Sequence, residues 1–238
     1  IMDANGGSAR ELTSDAFHNQ NPQLSPDGKT ISYYSDRSGN SDIWLMDVDG
    51  KNQRQFTTDA ADDFFQSWSP DGTAMVFTST RSGNKDIWLQ KLDGTAPTQL
   101  TNNPANDDDA VFTPDGKQIV FDTARAGGNN ADIWVMDADG KNQRRIYGTP
   151  AIEEVPVVSP DGRFIAFDRV TQGATFVRQE VLLTDFAGSG EVLIGQGAYA
   201  GFTPDGKSIM YVNPNGELVY APTPAGITNG RTIPFIAT

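Results

Sequence analysis

Apolar side chains in this chain fall into short runs broken by polar turn residues, and none keeps a helical period for three turns. Runs such as Ile31–Tyr34, Met75–Phe77, Ile119–Phe121 and Phe164–Phe167 are rich in β-branched and aromatic residues. They read as strands. Each is preceded by Ser/Thr-Pro-Asp-Gly. In that motif proline fixes φ, aspartate favours a turn and glycine supplies a positive φ, so the chain reverses tightly. The motif thus joins a first strand, such as the one ending at Gln66–Trp68, to a second. A third strand, Asp42–Asp47 in its first copy, follows a Ser-Gly-Asn turn. A fourth follows Asp-x-Asp-Gly and carries Arg54–Phe56 or Arg144–Ile146. Asp-Gly between apolar runs is a strong hairpin signal.

These four-strand units repeat. The motif glycines are Gly28, Gly72, Gly116, Gly162 and Gly206, 44 residues apart except for one step of 46. Asp-Ile-Trp recurs in the same phase at Asp42–Trp44, Asp86–Trp88 and Asp132–Trp134. The two additional residues fall in the loop at 124–131, where insertion costs little. Four-stranded antiparallel units of this period arranged in a ring describe a β-propeller. The expected units are about 14–58, 59–102, 103–149, 150–195 and 196–238, within one all-β domain. Trp44, Trp88 and Trp134 are expected to pack between blades. Units four and five depart from the consensus: Glu180–Asp185 replaces the Asp-Ile-Trp strand, and Glu217 and Val219 stand in the Asp and Trp places.

Residues 1–13 carry the end of a third strand and a fourth, Arg10–Thr13, with no first or second. The expectation is that Arg10–Thr13 closes the ring as the outer strand of the last blade, pairing near Leu218–Tyr220, with 222–238 packed at its edge. This gives five blades from one chain. The alternative is a six-bladed propeller of which a part is missing.

The stretch Leu24–Gly50, with Trp68–Gly72, resembles the TolB-like propeller family. The resemblance spans essentially the whole chain, strongly in units one to three. It implies a periplasmic or otherwise exported propeller that docks protein partners, among them a peptidoglycan-associated lipoprotein. The additional N-terminal α/β domain of the full Tol protein and the hydrolase domain of prolyl-oligopeptidase-like relatives have no counterpart in these residues.

Charge and composition then narrow the chemistry. Eighteen Lys and Arg against 31 Asp and Glu give a formal charge of −13, which argues against nucleic acid and anionic membranes as partners. No run of about 18 apolar residues could span a bilayer. There is no cysteine and one histidine, His18, so disulfides, thiol chemistry and multi-histidine metal sites are excluded. No serine stands out as a partner for His18, and no catalytic residue is assigned. Asp47–Gly50 and Asp137–Gly140, with 3–6, resemble the start of a calcium loop but lack its later ligands, and read as hairpin turns. Arg37, Arg81 and Arg125 recur in rim loops and are expected to pair with local acids.

The segment entering each first strand is the best candidate for a site. Equivalent positions hold Asn19, Asp63, Asp107, Glu153 and Gly197, followed by Gln20, Phe64, Asp108, Glu154 and Ala198. In a propeller they would ring the channel mouth. Asp63, Asp107 and Glu153 could bind a divalent cation such as calcium through oxygen ligands. Asn19, Asp63, Phe64, Asp107, Asp108, Glu153 and Glu154 could instead receive a basic group of a protein or peptide partner. The plainer alternative is that these acids cap turns in solvent. Two functions remain open: a non-enzymatic, monomeric interaction module, or a glycosidase-like enzyme using Asp63, Asp107 and Glu153 as its axial carboxylates.

Overall fold

In a computed structural model the described residues are 1, 7–127, 130–173 and 177–224. They form an all-β, five-bladed propeller. Blade 1 is β1 (Asn19–Leu24), β2 (Thr30–Ser35), β3 (Asp42–Asp47) and β4 (Arg54–Gln55). Blade 2 is β5 (Asp63–Trp68), β6 (Ala74–Ser79), β7 (Asp86–Lys91) and β8 (Thr98–Gln99). Blade 3 is β9 (Asp107–Phe112), β10 (Gln118–Thr123), β11 (Asp132–Asp137) and β12 (Arg144–Tyr147). Blade 4 is β13 (Ile152–Val158), β14 (Phe164–Gln172), β15 (Val177–Asp185) and β16 (Val192–Gln196). Blade 5 is β17 (Ala198–Phe202), β18 (Ser208–Val212) and β19 (Leu218–Pro222). Every sheet is an antiparallel meander in sequence order.

The turn motif does what its residues dictate. Gly28 takes φ +71° and its N–H donates to the Ser25 carbonyl at 2.9 Å, while the Ser25 hydroxyl donates to Asp27 at 2.7 Å. The Asp-x-Asp-Gly segments at 47–50 and 137–140 are hairpin turns, with Gly50 N–H donating to Asp47 O at 2.8 Å. Residues 3–6, where a related motif occurs, lie outside the described residues.

Blades adhere face to face. Ile43 and Leu45 of blade 1 pack on Trp68, Met75 and Phe77 of blade 2. Equivalent clusters join blades 2 and 3, 3 and 4, and 4 and 5. Fully burying one such side chain is worth about 1.5–3 kcal/mol, so each junction outweighs anything a lone blade could supply. Trp88 and Trp134 sit at these junctions as expected.

The seam between blades 5 and 1 differs. Leu218 and Tyr220 are 52% and 55% exposed, whereas Ile43 and Leu45, their counterparts by repeat phase, are buried. Leu24 is 56% exposed where Trp68 is buried. The expected pairing of Arg10–Thr13 with Leu218–Tyr220 is not among the ladders of the described residues, where blade 5 has three strands. Leu12 instead packs on Ile31, Tyr33 and Met46 of blade 1, and Arg10 donates to the Val48 and Asp49 carbonyls. Leu12 O lies 3.2 Å from where a Cβ on Gly50 would stand, as Leu100 O lies 2.8 Å from that of Gly140. Leu100 belongs to the outer edge of blade 2, next to blade 3. The fragment therefore lies on blade 1 as an outer strand of a preceding blade does. Residues 225–238, expected at the edge of blade 5, lie outside the described residues.

Candidate functional site

Every inner strand opens with the same irregularity. The pairing register breaks after Gln20, Phe64, Asp108, Glu154 and Ala198. The next residue in each case has a left-handed backbone: Asn21 (φ 50°), Phe65 (52°), Asp109 (48°), Val155 (55°) and Tyr199 (60°). Such a backbone costs on the order of 1–3 kcal/mol outside glycine, and is least tolerated by a β-branched residue such as Val155. A bulge re-aims the side chains beside it. Here it separates two sets of carboxylates that are neighbours in sequence.

The first set turns into the blades. Asp63, Asp107 and Glu153 have no exposed surface. Each accepts a hydrogen bond from an arginine of its own blade: Arg81 to Asp63 at 2.7 Å, Arg125 to Asp107 at 2.6 Å, Arg169 to Glu153 at 3.0 Å. In blade 1 Arg37 donates to Asn19 at 2.8 Å and to Asp15 at 3.0 Å. The arginines lie over the tryptophans, with Arg37, Arg81 and Arg125 at 4.8, 4.8 and 4.9 Å from the Trp44, Trp88 and Trp134 ring centroids. Blade 4 has no tryptophan there. Arg169 stacks on Tyr147 from blade 3 and also binds Glu191 at 2.7 Å. Burial pushes the Asp63 carboxyl up, and its bonds from Ser79 and Arg81 pull it back.

The expected pairing of the recurring arginines with local acids is thus present, but inside the blades rather than on the rim. Asp63, Asp107 and Glu153, expected as ligands around a channel, are drawn into their blades by the same pairing. Each is held by an arginine, and among the described residues no group of three or more acids or histidines is placed to hold a metal ion.

The second set gathers where the blades meet. Tyr34, Phe64 and Phe65 form an edge-to-face aromatic cluster with centroids 5.0–6.3 Å apart. The Lys85 ammonium lies 5.0 and 5.7 Å from the Phe64 and Phe65 centroids and is bonded to Asp108. Asp108 also accepts from the Thr78 hydroxyl at 2.7 Å. Asp109, Asp122, Glu154 and Asp168 complete the group. Asp122 stands opposite Asp108, and Asp168 opposite Glu154, in the ladders of blades 3 and 4. Each of these second-strand acids accepts from the bulge amide of the next blade: Asp122 from Val155 N–H at 3.2 Å, Asp168 from Tyr199 N–H at 2.8 Å. The strained bulges are thereby fixed from blade to blade.

Five carboxylates thus face one ammonium. Burial, then Asp108 and Glu154, push Asp109 up to about 8. Burial, then Glu154, pushes Asp168 up to about 7, against the amide of Tyr199. Asp122 is raised well above the usual range by burial and by Asp109 and Asp108. Glu154 is raised by burial and by Asp108. Asp168 is 2% exposed, and its Oδ1 has no hydrogen-bond partner.

Of the residues expected at the mouth, Phe64, Asp108 and Glu154 come together there, while Asn19, Asp63, Asp107 and Glu153 do not. Lys85, Asp122 and Asp168 were not picked out from the sequence. A signal existed for the last two: Val-Phe-Asp at 120–122 and Ala-Phe-Asp at 166–168 end apolar strands in an acid where other units have Tyr34, Thr78 or Val212. His18 is exposed and bonded to Asp36 at 2.7 Å.

Comparison with known proteins bears on the family. No curated protein sequence matches the chain. TolB from Acinetobacter baumannii is similar in structure, with TM-score 0.78 and 24% identity over 90% of this chain and 53% of that one. The chain thus spans about half the length of that relative. A structure assigned to TolB from Agrobacterium tumefaciens gives 0.76 and 24%, covering 92% and 81%. An oligogalacturonate lyase from Vibrio parahaemolyticus is more distant, at 0.54 and 13%, covering 88% and 78%. At these identities the likeness is one of fold. The profile of the TolB β-propeller domain matches residues 63–219, and with the motif repeat and five blades already described, the chain belongs to the TolB β-propeller domain family.

Proposed function

We propose that this propeller is a non-enzymatic, exported interaction module whose axial mouth receives a basic group of a protein or peptide partner. The observation that carries this reading is the imbalance at the mouth, where, among the described residues, Asp108, Asp109, Asp122, Glu154 and Asp168 are answered by Lys85 alone. A low-dielectric setting strengthens the field of such a cluster and favours cationic partners. The Phe64 and Phe65 faces, which already lie under one ammonium, suit a second cation at the same wall. The wide placement of the acids favours a cation carried on a side chain over a bare ion, since they are not gathered as ligands around one point. Export is what family membership suggests, because TolB homologues are periplasmic.

Amide chemical-shift mapping tests the mouth. A lysine–glycine peptide should perturb Phe65, Asp109, Val155 and Tyr199, and a glutamate–glycine peptide should not. Perturbation centred on the opposite end of the blades, around Gly72 and Gly116, would sink the reading.

A further inference from the structure

The mouth has more negative groups than the protein's own cation can offset, and the arrangement leaves acceptors open. Lys85 and Thr78 occupy Asp108. Asp122 and Asp168 each give one oxygen to a bulge amide. Among the described residues no group donates a hydrogen bond to the side chains of Asp109 or Glu154, and Oδ1 of the buried Asp168 is unpaired. Carboxylates so placed cannot all ionise, because each buried charge without a partner is expensive and raises the cost of the next.

We propose that the axial mouth is a proton-exchanging receptor: a cationic group of a partner, on entering beside Asp109, Glu154 and Asp168, displaces to solvent a proton that these carboxylates share. This rests on the reading of the mouth as the partner site, and adds how that site is regulated. The groups that face the cluster are accounted for element by element. They are Tyr34 on β2, Lys85 on the loop before β7, Asp108 on β9, Asp122 on β10, Glu154 on β13, Asp168 on β14 and Tyr199 on β17. Lys85 is the one cation in that set, and it is committed to Asp108. Asp109 at about 8 and Asp168 at about 7 then hold a proton between them near neutrality. The two acids act on one another, so the proton belongs to the cluster rather than to either residue. An incoming ammonium replaces it charge for charge, and binding strengthens as pH rises.

The test is calorimetry of a lysine–glycine peptide with the full chain in two buffers of different ionisation heat. The expected result is a buffer-dependent heat equivalent to about one proton released, and affinity that rises up to about tenfold per pH unit between about pH 6 and 8. Asp168→Asn keeps an oxygen for the Tyr199 amide, so its fold is checked by near-ultraviolet circular dichroism. It should bind the peptide with most of the proton release kept, because Asp109 retains Asp108 and Glu154 beside it, whereas Asp109→Asn should lose most of that release. Identical heats in both buffers, with binding still weakened by Asp109→Asn plus Glu154→Gln, would overturn the proton exchange and leave the site standing. A peptide that does not bind, or that binds this double variant as tightly as the wild type, would overturn both.

Discussion

Asp107 and Asp109 lie two residues apart on β9 and have opposite surroundings. Asp107 is fully buried and neutralised by Arg125, which in turn is stacked on Trp134. Asp109 has acids as its principal neighbours, and its carboxyl is pushed up to about 8. One left-handed residue in a bulge makes the difference. The clamped set repeats in four blades through Arg37, Arg81, Arg125 and Arg169 and behaves as part of the core. The open set is concentrated in blades 3 and 4. Where a repeat protein keeps a buried charge paired in each unit, the pair belongs to the architecture. A charge that recurs in two units only, with no arginine to pair it, is where function should be sought.

Four measurements would break or sharpen this contrast. The largest effect is expected from Arg125→Met. Removing one partner of a buried pair leaves Asp107 uncompensated and should cost about 3–5 kcal/mol, read as a lower urea midpoint. A loss below about 1 kcal/mol would mean the clamp is not structural.

Next comes pH. Asp109 and Asp168 have folded pKa values above their unfolded ones, so the folded state binds more protons. Their contribution to stability is then fully present below the unfolded carboxylate range. It is lost as pH rises towards about 7 and about 8. The chain should be more stable near pH 5 than near pH 8 by about 1–3 kcal/mol, and Asp109→Asn should flatten that slope. A melting temperature that rises from pH 5 to 8 would contradict the open set.

Val155→Gly tests the bulge that separates the two sets. Relief of the left-handed valine should stabilise the chain by about 1 kcal/mol, with the Val155 amide still donating to Asp122. A destabilised variant would show that packing of the valine outweighs the backbone strain. The smallest effect is expected for Lys85→Met. It should cost about 0.5–1 kcal/mol at pH 8 and nearly nothing at pH 5, where Asp108 has more protonated neighbours. A pH-independent loss would assign Lys85 to packing rather than to charge.

Much of the architecture was legible because it is written locally. The spacing of Gly28, Gly72, Gly116, Gly162 and Gly206 gave the blades, and the run lengths gave the strands. Trp88 and Trp134 fell at blade junctions as expected. The site was legible only in part. Counting from the turn glycines located the right stretch, Asp107–Asp109 and Glu153–Val155. It could not say which residue turns inward, because strict alternation fails at a bulge. Leu12 was expected to pair with Leu218–Tyr220; among the described residues it packs on blade 1 and no ladder joins it to blade 5.

By itself the sequence determined the repeat, the turns, the strand lengths and the excess of acid, since each depends on a few neighbouring residues. Only the tertiary structure decided which acids are ion-pair partners of arginine and which share the mouth. That choice depends on Asp122 and Asp168 meeting the bulge amides of Val155 and Tyr199 from another blade. It depends also on a desolvation that no residue carries alone, because burial is created by the neighbouring blades and a carboxylate's charge state follows its surroundings.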